Sequence, residues 1–274
     1  MATTAHRSRS VTKFVLLLFG LSIPLWVIGA RYPVELMPGF KLFQSPLAMP
    51  AVAALILTFS EGGGEAVSAL LKRCLDFRQI RPKIWLLPIF LIYPSIGLLD
   101  VLIQRMLGIS IPSPHFSFIV LLGYSTVFLM TFWEELGLTG YAIDALQTRH
   151  SALTSGVLVG LIWAGYHIPS FLISGYYTYD WIFWHALYIV AGRVLFVWVY
   201  NNSGKSLFSM ALLHGTFGVF WTLWPQTGNL QKAPPEYDPR IAALVTISYV
   251  ALVTLLWGFR TLARFRLSRT AGSD

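Results

Sequence analysis

The sequence predicts an all-α fold, a polytopic membrane helix bundle with about eight transmembrane helices. Of its 274 residues, 55% are hydrophobic and only 12% are charged, whereas a soluble globular domain usually has about a quarter of its residues charged. The apolar residues are gathered in runs close to the roughly 20 residues that a helix needs to cross a bilayer. We therefore expect a single integral membrane domain over residues 1–274.

The eight apolar runs can be placed in chain order from their lengths and from the Pro, Gly and charged residues between them. The predicted spans are residues 14–28, 47–59, 84–106, a fourth from about 116, then 153–173, 181–200, 206–224 and 242–259. Residues 61–83 contain three consecutive glycines and five basic residues, so we expect a cytoplasmic loop there, with a surface helix at about 66–75.

The basic residues favour a particular topology rather than a polyanionic partner. The net charge is +8, but the positive side chains lie between the apolar runs and at the two ends instead of along one face, so no nucleic acid partner is expected. With eight spans, the basic clusters share one side of the membrane if both termini are cytoplasmic. We expect a bacterial plasma membrane. The one cysteine, Cys74, excludes an intramolecular disulfide and a multi-cysteine metal site.

Two adjacent carboxylates, Glu134 and Glu135, follow directly on a long apolar run. Ionisable groups among hydrocarbon-compatible residues are costly, which indicates a function. Helical neighbours point about 100° apart, so the two carboxylates should have different roles, one as a general base and the other holding a structural partner. The alternative is that the span ends at Trp133 and leaves both glutamates in solvent.

Two later apolar runs each contain one histidine, His167 and His214. At 1.5 Å per residue, Glu134 and His214 come out level in the membrane, and His167 lies deeper. Pro169 frees a backbone carbonyl and favours a kink beside His167. Two carboxylates and two histidines suit acid–base chemistry or zinc binding. The alternative for each histidine alone is a hydrogen bond across a helix interface.

Two further residues are candidates for supporting roles. Arg193 lies within the sixth span, too deep to reach the membrane surface easily, and so needs an anionic partner. Glu134 or Glu135 is the most economical choice, with Asp180 or a lipid phosphate as the alternatives. Trp163 precedes His167 by one helical turn and shares its face, where core packing is the alternative.

Three short motifs contain most of these candidates. They read Glu134-Glu135-Leu-Gly-Leu-Thr139, Trp163-Ala-Gly-Tyr-His167 and His214-Gly-Thr-Phe-Gly218. Their order and spacing resemble those of the CPBP or Abi family, the membrane proteases that include type II CAAX prenyl endopeptidases and bacteriocin-processing or immunity proteins. The family motifs are Glu-Glu-x-x-x-Arg, aromatic-x-x-x-His and His-x-x-x-Asn or Asp. The resemblance covers about residues 117–218, which we expect to form the catalytic core.

The resemblance implies a mechanism for these residues. Glu134 would activate a water molecule with His167, and His214 would stabilise the oxyanion together with the last residue of the third motif. Glu135 would orient the site through the arginine of the first motif. The implied activity is an intramembrane endopeptidase that cleaves a peptide or protein substrate near the cytoplasmic face of the lipid bilayer.

The chain departs from the family motifs at two positions. Thr139 stands in place of the arginine, and we expect Arg193 to replace that arginine from another helix. Gly218 stands in place of the last motif residue, and Thr216 is a candidate for the missing donor. Loss of such a donor typically costs about a hundred- to a thousandfold in rate. The departures leave a second class open, a non-catalytic membrane protein of this fold that acts as an immunity factor or a peptide-binding scaffold.

No cofactor is expected from the sequence. There is no His-Glu-x-x-His helix, although Glu134, His167 and His214 together offer ligands that suit zinc. The family is described both as metalloproteases and as metal-independent glutamate proteases. We favour the metal-independent mechanism and keep zinc as the alternative.

Overall fold

The computed structural model describes residues 9–37, 40–109, 118–222 and 238–263. Its architecture confirms the all-α bundle. The helices are α1 (Val11–Arg31), α2 (Met49–Leu75), α3 (Leu86–Met106), α4 (Phe118–Gly137), α5 (Asp144–Leu146), α6 (Ala152–Ser174), α7 (Tyr179–Asn202), α8 (Leu207–Thr222) and α9 (Pro239–Trp257). A π-helical turn, Leu138–Ile143, joins α4 to α5.

Shorter elements connect the helices. Between α1 and α2, the strands β1 (Glu35–Met37) and β2 (Phe40–Lys41) form an antiparallel pair in which Glu35 is opposite Lys41. The 3₁₀ turn Leu42–Ala48 then leads into α2. Two more 3₁₀ turns, Phe77–Gln79 and Lys83–Trp85, lie between α2 and α3.

Each of the eight predicted spans coincides with a helix. Within the described ranges, six helical segments are long and apolar enough to cross a membrane, and they contain α1, α2, α3, α6, α7 and α9. α8 has a shorter apolar stretch, Leu207–Gly218. The predicted start of the fourth span before residue 118, the end of the seventh beyond residue 222, and the terminal basic residues 7 and 264–269 lie outside the described residues.

The predicted polar loop was wrong over about residues 61–65, whereas the helix expected at about 66–75 is present. α2 continues to Leu75 through a kink at Gly62 and Gly63. Gly63 has a φ of +66°, a conformation that glycine adopts without steric cost. Beyond the kink, Leu70 is buried, so packing stabilises a helix where the glycines favoured a loop.

α7 is the central helix of the bundle. Every residue from Ala191 to Tyr200 is buried, as expected of a helix that is enclosed on all sides. α6 crosses it closely, because a Cβ atom added at Gly160 would lie 2.8 Å from the Cα atom of Val190. This crossing brings residues from the middle of α6 next to Arg193.

α4 continues past the two glutamates and keeps both of them inside the bundle. The alternative in which this span ends at Trp133 is therefore wrong. A Cβ atom added at Gly137 would lie 2.3 Å from the carbonyl oxygen of Pro50, so the backbones of α4 and α2 are in direct contact. Glu134 and Glu135 precede this contact by one turn or less, which fixes the end of α4 that contains them.

Candidate active site

Four helices bring the predicted site residues together in the interior of the bundle. Glu134 and Glu135 lie on α4, Arg193 on α7 and His214 on α8, and all four are buried. α6 supplies two further side chains, the buried Trp163 and the partly buried His167.

Glu134 is held by a tryptophan. The indole Nε1 of Trp163 donates a hydrogen bond of 2.7 Å to Oε2 of Glu134. Oε1 of this carboxylate has no hydrogen-bond partner among the described residues. Trp163 also packs edge-on against His214, with ring centroids 4.9 Å apart. The indole therefore combines core packing, which the sequence left as an alternative, with a polar contact to Glu134.

Glu135 is the centre of a second set of hydrogen bonds. Nη1 of Arg193 lies 3.0 and 2.9 Å from its two carboxylate oxygens. The hydroxyl of Thr139 donates to Oε2 at 2.5 Å, and Nδ1 of His214 lies 2.9 Å from Oε1. Adjacent in sequence, Glu134 and Glu135 thus have different partners, as their helical spacing predicts.

Arg193 is fully buried, and it pairs with Glu135, one of the two partners favoured for it. Its guanidinium lies over the rings of Trp163 and Phe196, with distances of 4.2 and 4.5 Å to the ring centroids. Nε and Nη2 have no hydrogen-bond partner within the described ranges. The aromatic faces therefore contribute the attraction that these nitrogens would otherwise gain from acceptors.

The hydrogen-bond partners of the two histidines define their tautomers. Nδ1 of His167 lies 2.9 Å from the carbonyl oxygen of Trp163, and a carbonyl can only accept, so this nitrogen carries the hydrogen. Nδ1 of His214 faces Glu135, which also accepts from Arg193 and so behaves as an ionised carboxylate. In both neutral rings Nε2 is then left with a lone pair.

Trp163 connects the other site residues. It contacts both Glu134 and His214, and their predicted depth in the membrane stays a prediction. The ring of His167 is 5.7 Å from that of Trp163, one turn further along α6. It lies within electrostatic range of Glu134 and His214.

Thr216 does not fit the predicted role of replacement donor. Its hydroxyl contacts the carbonyl oxygens of Leu213 at 2.7 Å and Ile89 at 3.1 Å. A hydroxyl has a single hydrogen to donate, and that hydrogen is directed to the backbone. The position that Gly218 leaves without a side-chain donor is therefore not filled by Thr216.

The alternative of a zinc site can be compared with the positions of its expected ligands. In the part of the chain that the structure describes, no three His, Cys, Asp or Glu side chains converge as metal ligands. Nδ1 of His214 is engaged by Glu135 and Nδ1 of His167 by a carbonyl, which leaves Nε2 of each ring as the nitrogen that a metal could bind. The metal-independent mechanism stays a prediction, and no step is assigned to a metal.

A polar network that the sequence did not reveal lies beyond the π-helical turn. Asp144 accepts hydrogen bonds from Arg73 at 3.0 Å and from Tyr200 at 2.8 Å. Arg9 contacts the carbonyl oxygen of Gly140 at 2.8 Å. These partners are up to 131 residues apart in the chain. Each is an isolated residue outside the three motifs, so no sequence pattern could have identified the network.

The fold and the site together define a polytopic membrane protein with a buried centre of two glutamates and two histidines. A family model described as "Type II CAAX prenyl endopeptidase Rce1-like" matches residues 116–220, the region that contains this centre. The resemblance that the motifs predict is therefore confirmed for that region, which is similar to the type II CAAX prenyl endopeptidases.

One similar protein is the CAAX prenyl protease 2 of Methanococcus maripaludis. It is 27% identical over 223 residues, which cover 72% of this chain and 78% of the relative. The two matches support a membrane protease, and hence a hydrolase, as the class of protein.

Proposed function

We propose that the chain is an intramembrane endopeptidase in which Glu134 is the general base that activates water. The observation that carries the proposal is the state of this carboxylate: it is buried, one oxygen is fixed by Trp163, and the other has no hydrogen-bond partner among the described residues. A water molecule on the second oxygen would lie among the site residues. Proton transfer to the carboxylate makes that water nucleophilic.

The histidines supply the remaining steps. Nε2 of His167, one turn from Trp163, orients the attacking water through its lone pair. His214 stabilises the oxyanion when Nε2 is protonated, because only an N–H group can donate to the developing charge. Glu135 accepts from the opposite side of that ring, and it therefore aligns His214.

The substrate that this site would accept is a peptide or protein segment at the membrane. The relative from Methanococcus maripaludis is named a CAAX prenyl protease, so prenylated peptides with a C-terminal CAAX sequence are the first to test. We propose that both termini are cytoplasmic in a bacterial plasma membrane, because this places the basic clusters on one side. Cleavage would then occur near the cytoplasmic face.

A cleavage assay on purified protein in detergent tests the proposal. The substrates are a farnesylated CAAX peptide and a library of unmodified peptides. We expect Glu134→Gln, His167→Ala and His214→Ala each to abolish cleavage while the protein stays folded. Glu65→Gln is the matched control, because this substitution makes the same chemical change at an exposed position of α2. It should retain wild-type activity.

The outcomes separate the alternatives. Wild-type activity in Glu134→Gln would remove this residue from the mechanism. Activity that depends on Glu134 and persists with a metal chelator would support the metal-independent mechanism, whereas loss with the chelator would indicate a bound metal. If wild-type protein cleaves none of the peptides, a peptide-binding or immunity protein becomes the better interpretation.

A further inference from the structure

The π-helical turn Leu138–Ile143 begins three residues after Glu135. π-helical turns are rare, and they frequently occur at functional sites. This one contains Thr139, whose hydroxyl donates to Glu135 and also lies 3.4 Å from Nη1 of Arg193. The position of the turn therefore decides whether Glu135 keeps one of its hydrogen bonds.

The side of the turn remote from Glu135 is held by the segment that precedes α1. Nη1 of Arg9 donates to the carbonyl oxygen of Gly140 at 2.8 Å, and the guanidinium lies over the ring of Tyr141 at 5.3 Å. The same nitrogen is 3.9 Å from Asp144. Arg9 thus contacts three residues in or next to the turn.

Arg9 supplies a hydrogen-bond donor to a backbone carbonyl of the π-helical turn. Such a turn interrupts the regular ladder of α-helical hydrogen bonds, so its backbone carbonyls depend more on donors outside the helix. A charged donor makes a stronger hydrogen bond to a carbonyl than a neutral one does. Gly140, which receives this bond, is the neighbour of Thr139, so a shift at one moves the other.

We propose that Arg9 is a positioning residue for the active site. It fixes the backbone of the π-helical turn, and through Thr139 it keeps Glu135 aligned with His214. The proposal rests on the proposed function, because it assigns Arg9 an effect on catalysis by that site. Arg9 does not touch the reacting atoms, so its removal should lower kcat and leave KM nearly unchanged.

The size of the effect follows from the contacts. The side chain of Arg9 is 30% exposed, so solvent weakens its interactions. A charge-assisted hydrogen bond under such conditions corresponds to a roughly three- to tenfold change in an equilibrium or rate. We expect Arg9→Ala to reduce kcat by about that factor. Arg9→Lys, which keeps a charged donor, should restore most of it.

The experiment combines kinetics with hydrogen exchange on the full chain. Wild type, Arg9→Ala, Arg9→Lys and a control, Lys13→Ala, are compared by kcat, KM and amide exchange of residues 138–146. Lys13 is an exposed basic residue four positions further on, and it should behave as wild type in both measurements. Arg9→Ala should exchange faster in the turn, with Arg9→Lys close to wild type.

The experiment distinguishes failure of this proposal from failure of the proposed function, because cleavage by wild type and the effect of Arg9→Ala are measured separately. If wild-type protein cleaves no peptide, the proposed function fails, and the catalytic role of Arg9 fails with it, whatever the exchange shows. If wild type is active, unchanged kcat in Arg9→Ala overturns the positioning role even where exchange accelerates. Equal loss of kcat in Arg9→Ala and Lys13→Ala would also overturn it, since the effect would then be one of general charge.

Discussion

The ion pair between Arg193 and Glu135 gives the sharpest test of how the site is built. Arg193 is 0% exposed and Glu135 1% exposed, so Arg193→Leu would leave a buried carboxylate without its cation. Breaking a buried pair in this way costs about 3–5 kcal/mol. We expect the free energy of unfolding to fall by that amount, measured by denaturant unfolding of the purified protein in detergent.

A double-mutant cycle identifies the cause of the loss. If the stranded charge is responsible, the same Arg193→Leu change made in a Glu135→Gln background should cost less than about 2 kcal/mol, because a neutral amide tolerates burial better than an isolated carboxylate. Equal costs in the two backgrounds would refute this reasoning. They would assign the stability instead to the packing of Arg193 against Trp163 and Phe196.

Activity provides a second and independent readout. Thr139 already contacts Glu135, so an arginine side chain introduced there reaches the same carboxylate. We expect Arg193→Leu to lower cleavage, and Thr139→Arg added to that variant to restore part of both stability and activity. Absence of any rescue would leave the idea that Arg193 replaces the motif arginine without support.

Two further predictions concern the contacts that place α4. Trp163→Phe keeps an aromatic ring but removes the hydrogen bond to the buried Glu134. A hydrogen bond to a charged group is worth about 1.5–3 kcal/mol, so we expect kcat to fall about ten- to a hundredfold and the free energy of unfolding to fall by about that amount. Unchanged kcat would show that Trp163 only packs. Gly137→Ala should destabilise the protein by at least about 1–3 kcal/mol, because its Cβ would overlap the carbonyl of Pro50. Its control, Gly20→Ala, has no atom within 4 Å of the added Cβ and should be neutral or slightly stabilising.

The helices could be predicted because their signal is local. A bilayer requires each span to be apolar over its own length, and so the eight runs, including α1 and α9, could be read one at a time. The ion pair of Arg193 could be anticipated for a related reason. A buried cation needs an anion, and few carboxylates lie within apolar runs of the chain.

The remaining contacts depend on packing between distant segments. Three consecutive glycines favour a loop after Glu61, but Tyr141 donates to Glu61 at 2.6 Å and Leu70 packs beside Gly140, which stabilises the helix instead. From the sequence, the hydroxyl of Thr216 was a candidate for the oxyanion donor that is missing at Gly218. Only the structure shows that the carbonyl of Ile89, 127 residues away, lies beside it.

The two glutamates have different partners, and this difference suits them to different roles in the proposed mechanism. Glu135 is paired with a cation, so its charge is balanced and its role is to hold Arg193, Thr139 and His214 in place. Glu134 is fixed by a neutral indole, which sets the orientation of the carboxylate without neutralising it. A base needs both properties, a defined direction and a charge that can still accept a proton. In the proposed mechanism, the adjacent carboxylates therefore divide structural and catalytic work, because one has a charged partner and the other does not.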